Sequence, residues 1–262
     1  MYAFDLERPA TVADAVTALG ADEAQALGGG QTLIPTLKQR LASPSVLVSL
    51  SGIAEMTGIC TRDDGSLAIG GGTTHAAVAV GADVFPGLAG LAAGIGDPAV
   101  RNRGTVGGSL ANNDPSACYP AGALASGATI VTNAREIPAD DYFQGLFTTA
   151  LEEGEVVTEV RFPVPEASAY MKFEQPASRF ALVGVFVAKH ADGVRVAVTG
   201  ASENGVFRWS EAEAALNDSF TADALNGLSL PAEGMINDLH GSDAYRAHIT
   251  AVMTKRAVTA AC

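Results

Sequence analysis

The stretch ALGGGQTLIPTLKQR (residues 26–40) decides how the rest of the chain is read. AQAL (24–27) reads as a short strand that runs into Gly28, Gly29 and Gly30. Gln31 and Thr32 follow, and the spacing predicts a helix through Leu37 and Leu41, with Thr32 as its N-cap. Pro35 falls in the first turn, where a missing N–H costs little. VLVSL (46–50) then reads as a buried strand. Between strand and helix, the glycine turn either spaces two elements or turns its N–H groups toward an anion. In a chain with 29 glycines, one such turn does not separate the two readings.

The same grammar recurs. Upstream, Thr11 is the expected N-cap of a helix, VADAVTALG, that stops at Gly20. Downstream, SLAIGGGTTHAAVAV (66–80) repeats a strand, three glycines, two threonines and an Ala-rich helix. A helix near FPGLAGLAAGI, a glycine-rich loop at 101–115, a helix at AGALASGA and a strand at 128–132 come next. EVVTEVRFP (155–163) reads as a closing strand, and PVPEAS (163–168) as a linker. ALVGVFVAKH and VRVAVTGAS flank Ala191-Asp192-Gly193, a hairpin signal. Two helices follow. The last begins at Ser242 as N-cap, and Tyr245, Ile249, Val252 and Met253 form an apolar stripe suited to core packing or subunit contact.

RNRGTVGGSLANNDPSACYPAGAL (101–124) supplies the second informative loop. Gly104, Gly107 and Gly108 permit close backbone approach, Thr105 and Ser109 place hydroxyls beside exposed N–H groups, and the start of the next helix adds a favourable dipole. Neither loop is a P-loop, because GxxxxGK[ST] is absent, and neither is a Rossmann fingerprint. Two separate loops of similar chemistry, Gly-Gly-Gly-Gln-Thr and Thr-Val-Gly-Gly-Ser, suit a ligand as large as a dinucleotide pyrophosphate.

Composition narrows the classes. Sixteen Lys and Arg against 29 Asp and Glu leave a formal net charge of -13, which opposes nucleic acid and anionic lipid as main partners. Local basic character remains around Arg101 and Arg103. The N-terminus lacks a cationic region followed by an apolar run, and no stretch of ~18 apolar residues could span a bilayer. Cys60, Cys118 and Cys262 are odd in number and far apart, as expected in a reducing cytoplasm. They show no iron–sulfur or zinc spacing, and His75, His190, His240 and His248 show no ligand spacing either. Redox chemistry therefore calls for an organic cofactor or a partner subunit.

LGGGQTLIPTLKQRLASPSVLVSLSGI resembles the first FAD-binding stretch of the medium subunits of molybdenum hydroxylases, the carbon monoxide dehydrogenase medium subunit and xanthine dehydrogenase FAD-domain family. TVGGSLANNDPSACYPA is similar to that family's Thr-Ile-Gly-Gly-Ser followed by Ala-Asp-Pro. IGGGTTHA, REIPADDYF, LEEGEVVTEVRFP, RFALVGV and the C-terminal DLHGSDAYRAHITAVMTKRAV extend the resemblance over nearly the whole chain. It implies an α+β protein: a two-subdomain FAD-binding fold of the vanillyl-alcohol-oxidase/PCMH type (1–55 and 56–165), then a small C-terminal α+β domain (166–262). It also implies noncovalent FAD, with Gly28, Gly29, Gly30, Gln31 and Thr32 meeting the pyrophosphate in the first loop. Thr105, Gly107, Gly108 and Ser109 meet it in the second, which Gly104 and Val106 shape. Val157 lies on the family strand packed near the isoalloxazine, and Lys172 sits where related flavoproteins bring a lysine near the flavin. The other reading of Lys172 is a solvated lysine on a strand.

The sequence departs from the family at one place. The usual Asp-Pro-Ala-Ala-Asp ends here in Cys118, so a contact to the sugar-alcohol region is lost or replaced, at about 1 kcal/mol for one hydrogen bond. The resemblance implies an electron-transfer subunit. A large molybdopterin subunit would carry the substrate chemistry and a small subunit two [2Fe–2S] clusters, in a doubled heterotrimer. No acid, base or nucleophile is assigned in this chain. The rivals are a stand-alone flavin oxidoreductase of related fold and an assembly subunit without FAD.

Overall fold

The computed structural model describes all 262 residues. The first fifty form a small parallel sheet of β1 (Asp5–Glu7), β2 (Ala24–Leu27) and β3 (Val46–Ser49) in the order β1-β3-β2. Parallel neighbours need a crossover, supplied by α1 (Val12–Leu19) between β1 and β2 and by α2 (Leu33–Lys38) between β2 and β3. Thr11 caps α1, its hydroxyl accepting from the Asp14 N–H, and Gly20 ends it. The β2–α2 turn thereby puts residues 28–32 at the carboxyl end of a parallel strand.

Two details of this unit differ from the sequence expectation. α2 stops at Lys38, so Leu41 is 74% exposed instead of lying on its apolar face. Thr32 makes no side-chain cap bond. Its backbone is already helical, a geometry that turns the hydroxyl away from the orphan amides.

An antiparallel sheet of five strands follows, β4 (Ile59–Thr61), β5 (Leu67–Gly70), β6 (Thr129–Thr132), β7 (Glu136–Pro138) and β10 (Val157–Phe162), ordered β4-β5-β10-β6-β7. A hairpin of β8 (Phe143–Gly145) and β9 (Thr148–Thr149) stands apart from it. Between β5 and β6 run α3 (His75–Gly81), α4 (Pro86–Ala93), α5 (Pro98–Arg101), α6 (Val106–Asn112) and α7 (Tyr119–Ser126), and α8 (Ala139–Tyr142) follows β7. The expected loop at 101–115 is therefore interrupted by a helix. Thr105 caps α6 by accepting from the Gly108 N–H at 3.1 Å, and Gly107 and Gly108 lie in its first turn. Asn113 ends it in the left-handed region (φ 41°). The Asn113 amide donates to the Gly145 and Thr148 carbonyls, both at 2.8 Å, and so pins the β8–β9 hairpin.

The last unit is an antiparallel sheet of β11 (Ala167–Glu174), β12 (Ala181–His190), β13 (Gly193–Thr199) and β14 (Phe207–Arg208), with the expected hairpin at 191–192. α9 (Ser210–Asp218) and α10 (Asp243–Ala261) cover one face. Both faces are buried, which explains the unbroken apolar run ALVGVFVA. Val183, Val185 and Val187 point to α9 and α10, while Phe186 and Ala188 join the core under α4 and α7. The second and third units thus share one core. Phe85 joins them edge-on, 6.4 Å from Phe162 on β10 and 5.9 Å from Phe186 on β12.

The stripe on α10 is rotated from the sequence expectation. Ile249 and Met253 are buried, Tyr245 is 40% exposed, and Arg246 is only 2% exposed. Arg246 donates from Nη1 to the Leu182 (2.7 Å) and Gly200 (2.6 Å) carbonyls and from Nη2 to both oxygens of Asp238 (2.8 Å). Apolar periodicity cannot reveal such a residue, since its partners lie on distant segments. Arg246→Ala strands two carbonyls and a carboxylate and is expected to cost about 3 kcal/mol in urea unfolding. Arg246→Lys should recover only part of this, because an ammonium cannot reproduce the guanidinium fork.

Candidate functional site

Three glycine segments meet at one cleft. Gly28 and Gly29 pack on the segment that leads into α6: a Cβ at Gly28 would lie 3.1 Å from the Thr105 hydroxyl, and one at Gly29 would overlap the Arg103 carbonyl. Gly107 packs on Gly71, where a Cβ would come within 2.8 Å of the Gly71 carbonyl, and a Cβ on Gly71 would overlap the Val157 carbonyl. The contacts are hydrogen-bonded as well as close. The Gly107 N–H donates to the Gly71 carbonyl (2.8 Å), that of Val106 to Thr73 (3.1 Å), and that of His75 to Gly104 (3.0 Å). The Gly71 N–H donates to Thr158 on β10 (2.7 Å). Most of these glycines therefore serve backbone-to-backbone packing. Only Gly30, at φ +70°, needs the left-handed region.

The two loops differ in what they leave free. In the first, the N–H groups of Gly28, Gly29, Gly30, Gln31, Thr32 and Leu33 have no acceptor within the chain. Six successive unpartnered donors beside a cleft form an anion-binding concavity without any Lys or Arg. In the second, the N–H groups of Val106, Gly107 and Gly108 are consumed by Thr73, Gly71 and Thr105, so the expected row of exposed N–H groups is not there. This loop still lines the cleft, with Thr105 and Ser109 as its hydroxyl-bearing residues.

The cleft has a volume of about 580 Å³, within the range of small-molecule sites. Gly28, Gly29, Gly30, Gln31 and Thr32 line it together with Gly104, Thr105, Gly107, Gly108 and Ser109, on which the first loop packs. Val157, Cys118 and Lys172 line it farther along. Val106 does not; it is wholly buried in the core beneath and shapes the loop from below. Cys118 sits at the start of α7 without capping it, and burial pushes its thiol pKa up, so it is an inert neutral group facing the Tyr170 hydroxyl. Asp114 accepts from the Ser116 N–H at 2.8 Å and holds the preceding turn.

Lys172 is not a solvated lysine. Its side chain is 6% exposed, and Nζ donates to the Gly94 (2.6 Å) and Arg179 (2.8 Å) carbonyls, with Glu174 at 3.3 Å. It fastens the 175–180 turn to the segment after α4, so its charge is engaged at the rim. Two lining residues escaped the sequence reading. Glu155 forms a two-point pair with Arg135 (2.9 Å each) and accepts from Thr132 (3.1 Å). The Arg135 guanidinium foremost holds its pKa down at about 2. His75 lines the floor beside Gly104. No group of three or more His, Cys, Asp or Glu side chains is arranged to hold a metal ion.

Residues 2–165 match the family described as the FAD binding domain in molybdopterin dehydrogenase. The chain belongs to this family. It is 33% identical to the carbon monoxide dehydrogenase medium chain of Hydrogenophaga pseudoflava, over 98% of this chain and 96% of that one. It is 32% identical to the nicotine 6-hydroxylase medium subunit of Paenarthrobacter nicotinovorans, over 97% and 95%. Among solved structures, the H. pseudoflava carbon monoxide dehydrogenase superposes with a TM-score of 0.87 at 34% identity, covering 99% of this chain and 97% of that one. Quinoline 2-oxidoreductase from Pseudomonas putida 86 gives 0.87 at 30% identity, covering 99% and 97%. This member of the FAD-binding family is thus an oxidoreductase flavoprotein subunit with the α+β, PCMH-type fold. Neutral amide donors, two hydroxyls and the apolar wall at Val157 suit FAD. No helix is long and apolar enough to cross a membrane.

Three substitutions check these readings. Gly29→Ala forces the first loop off Arg103 and should lower stability by about 1–3 kcal/mol in thermal unfolding. Gly90→Ala, in α4 with nothing within 4 Å of the new Cβ, should stabilise by about 0.5–1 kcal/mol. The Glu155 contribution is complete above its unfolded value of 4.5 and disappears as pH falls toward about 2. Glu155→Gln should therefore be less stable than the parent at pH 7, with the gap closing across that window.

Proposed function

We propose that the chain is the FAD-binding electron-transfer subunit of a multi-subunit molybdenum hydroxylase. Noncovalent FAD lies in the cleft between units 1–55 and 56–165, closed at one end by unit 166–262. The observation that carries this reading is the run of six unpartnered N–H groups at 28–33, next to a wall of hydroxyl and apolar side chains. The amides of Gly28 to Thr32 hold the pyrophosphate. Thr105 and Ser109 add hydroxyl contacts, and Gly104, Val106, Gly107 and Gly108 keep that wall close enough to reach it. Val157 supplies the apolar surface for the ring system, and Cys118 stands beside the sugar-alcohol chain without a strong hydrogen bond to offer. Lys172 holds the rim.

Bound FAD would supply the redox chemistry, taking electrons from the [2Fe–2S] clusters of a small partner and releasing them to an external acceptor. This chain's residues bind it, orient it and limit its contact with water. The molybdopterin belongs to a large partner, and the whole forms a dimer of heterotrimers in the cytoplasm, without nucleic acid or an integral membrane segment. Medium chains and subunits among the relatives support the multi-subunit reading. The purified complex should show flavin absorbance that bleaches on addition of the holoenzyme substrate. The isolated chain should release FAD on acid treatment and show no such bleaching. A colourless chain, or bleaching without partners, would count against the proposal.

A further inference from the structure

Of the four histidines, only His75 lines the cleft. It is the first residue of α3, which Thr74 caps by accepting from the Ala77 N–H at 3.3 Å. Its backbone N–H donates to Gly104, and its ring lies 5.2 Å from that of Tyr119, tilted by 40°. These contacts fix the imidazole, which is 5% exposed. Nδ1 is buried and has no partner. Nε2 also bonds nothing within the chain, and it lies against Gly104, where a Cβ would come within 2.5 Å. Gly104 in turn packs on Gly29, in the loop of free N–H groups. Glycine at 104 thus makes room for the ring and brings it next to that loop.

The surroundings keep the ring uncharged. Burial alone lowers its pKa to about 4, with no carboxylate contributing. Tyr119 is the titratable neighbour, and burial raises its pKa, so it too is neutral. From the α5 segment, Arg101 is turned to the Ile95 and Gly96 carbonyls at 3.0 Å. A fixed, buried imidazole with neither nitrogen satisfied is a group built for a partner the chain itself does not supply.

We propose that His75 is a ligand-binding residue of the cleft, its Nε2–H donating to a phosphate oxygen of bound FAD. The inference rests on the FAD reading above. It extends the donor set beyond the backbone amides and the Thr105 and Ser109 hydroxyls to one imidazole. Nδ1 then carries the bare lone pair, more readily left unpaired than an N–H. No proton is transferred; the imidazole acts as a neutral donor.

The test uses the full chain stripped of flavin, titrated with FAD by fluorescence quenching. His75→Phe keeps the ring packing on Tyr119 but removes both nitrogens. His75→Gln offers an N–H near the position of Nε2. The expected result is FAD bound about tenfold more weakly by His75→Phe, with most of the loss recovered in His75→Gln. The flavin-free His75→Phe chain should melt no lower than the parent, because an unpartnered polar ring is replaced by an apolar one. In the unaltered chain, FAD should move the His75 imidazole resonances among the four histidines, and the bound FAD phosphorus signals should differ between the parent and His75→Phe. Parent-like FAD affinity in His75→Phe, or weaker binding that tracks a lower melting temperature, would overturn the proposal. A parent chain that binds no FAD would overturn the FAD reading itself, visibly and separately, since no titration would be obtained.

Discussion

The structure depends on how closely three backbone segments approach one another. Gly29 lies on Arg103 and Gly104, Gly107 on Gly71, and Gly71 on the Val157 carbonyl of β10. A single methyl group at any of these positions would separate the parts that make the cleft. Hydrogen bonds from Gly107 to Gly71 and from Gly71 to Thr158 tie α6 to the central sheet. The first loop then rests on α6 and need not bond its own amides. Close packing in one place leaves unpartnered donors in the next.

The rim is built on a different principle. The four-stranded sheet is buried on both faces, and the core beneath α4 and α7 is continuous with that of the second unit. Phe85 contacts aromatic rings on both sheets, and such edge-on pairs contribute about 0.5–1.5 kcal/mol beyond their burial. This continuity carries Lys172 to the cleft and lets it join Gly94 to Arg179. Its charge is therefore spent on carbonyls of the protein, while the donors left free are neutral.

Much of this was legible from local rules. Strands at 24–27 and 46–50, the cap at Thr11 and the hairpin around Ala191-Asp192 follow from apolar periodicity and turn chemistry, which operate over a few residues. The misreadings share one cause. Thr32 looked like a cap because capping residues are recognised by type, yet its backbone dihedrals had already become helical. The 101–115 segment looked like open loop because glycines weaken a helix, yet Thr105 and the contacts to Gly71 and Thr73 stabilise one there. Arg246 carries no local signal at all, because its three partners lie between 8 and 64 residues away.

The sequence by itself determined the two glycine loops, their order and the residue types that suit a phosphate-bearing ligand. It also determined family membership, because GGGQT and TVGGS stand in a matching order along nearly the whole chain. Only the tertiary structure decided which amides are free. A glycine motif records that the backbone comes close to something, but not whether that neighbour is a ligand or another strand of the same chain. In the first loop the N–H groups remain open; in the second, carbonyls of Gly71 and Thr73 have taken them. That distinction, and the position of His75 against Gly104, arises from contacts across tens of residues that no local pattern encodes.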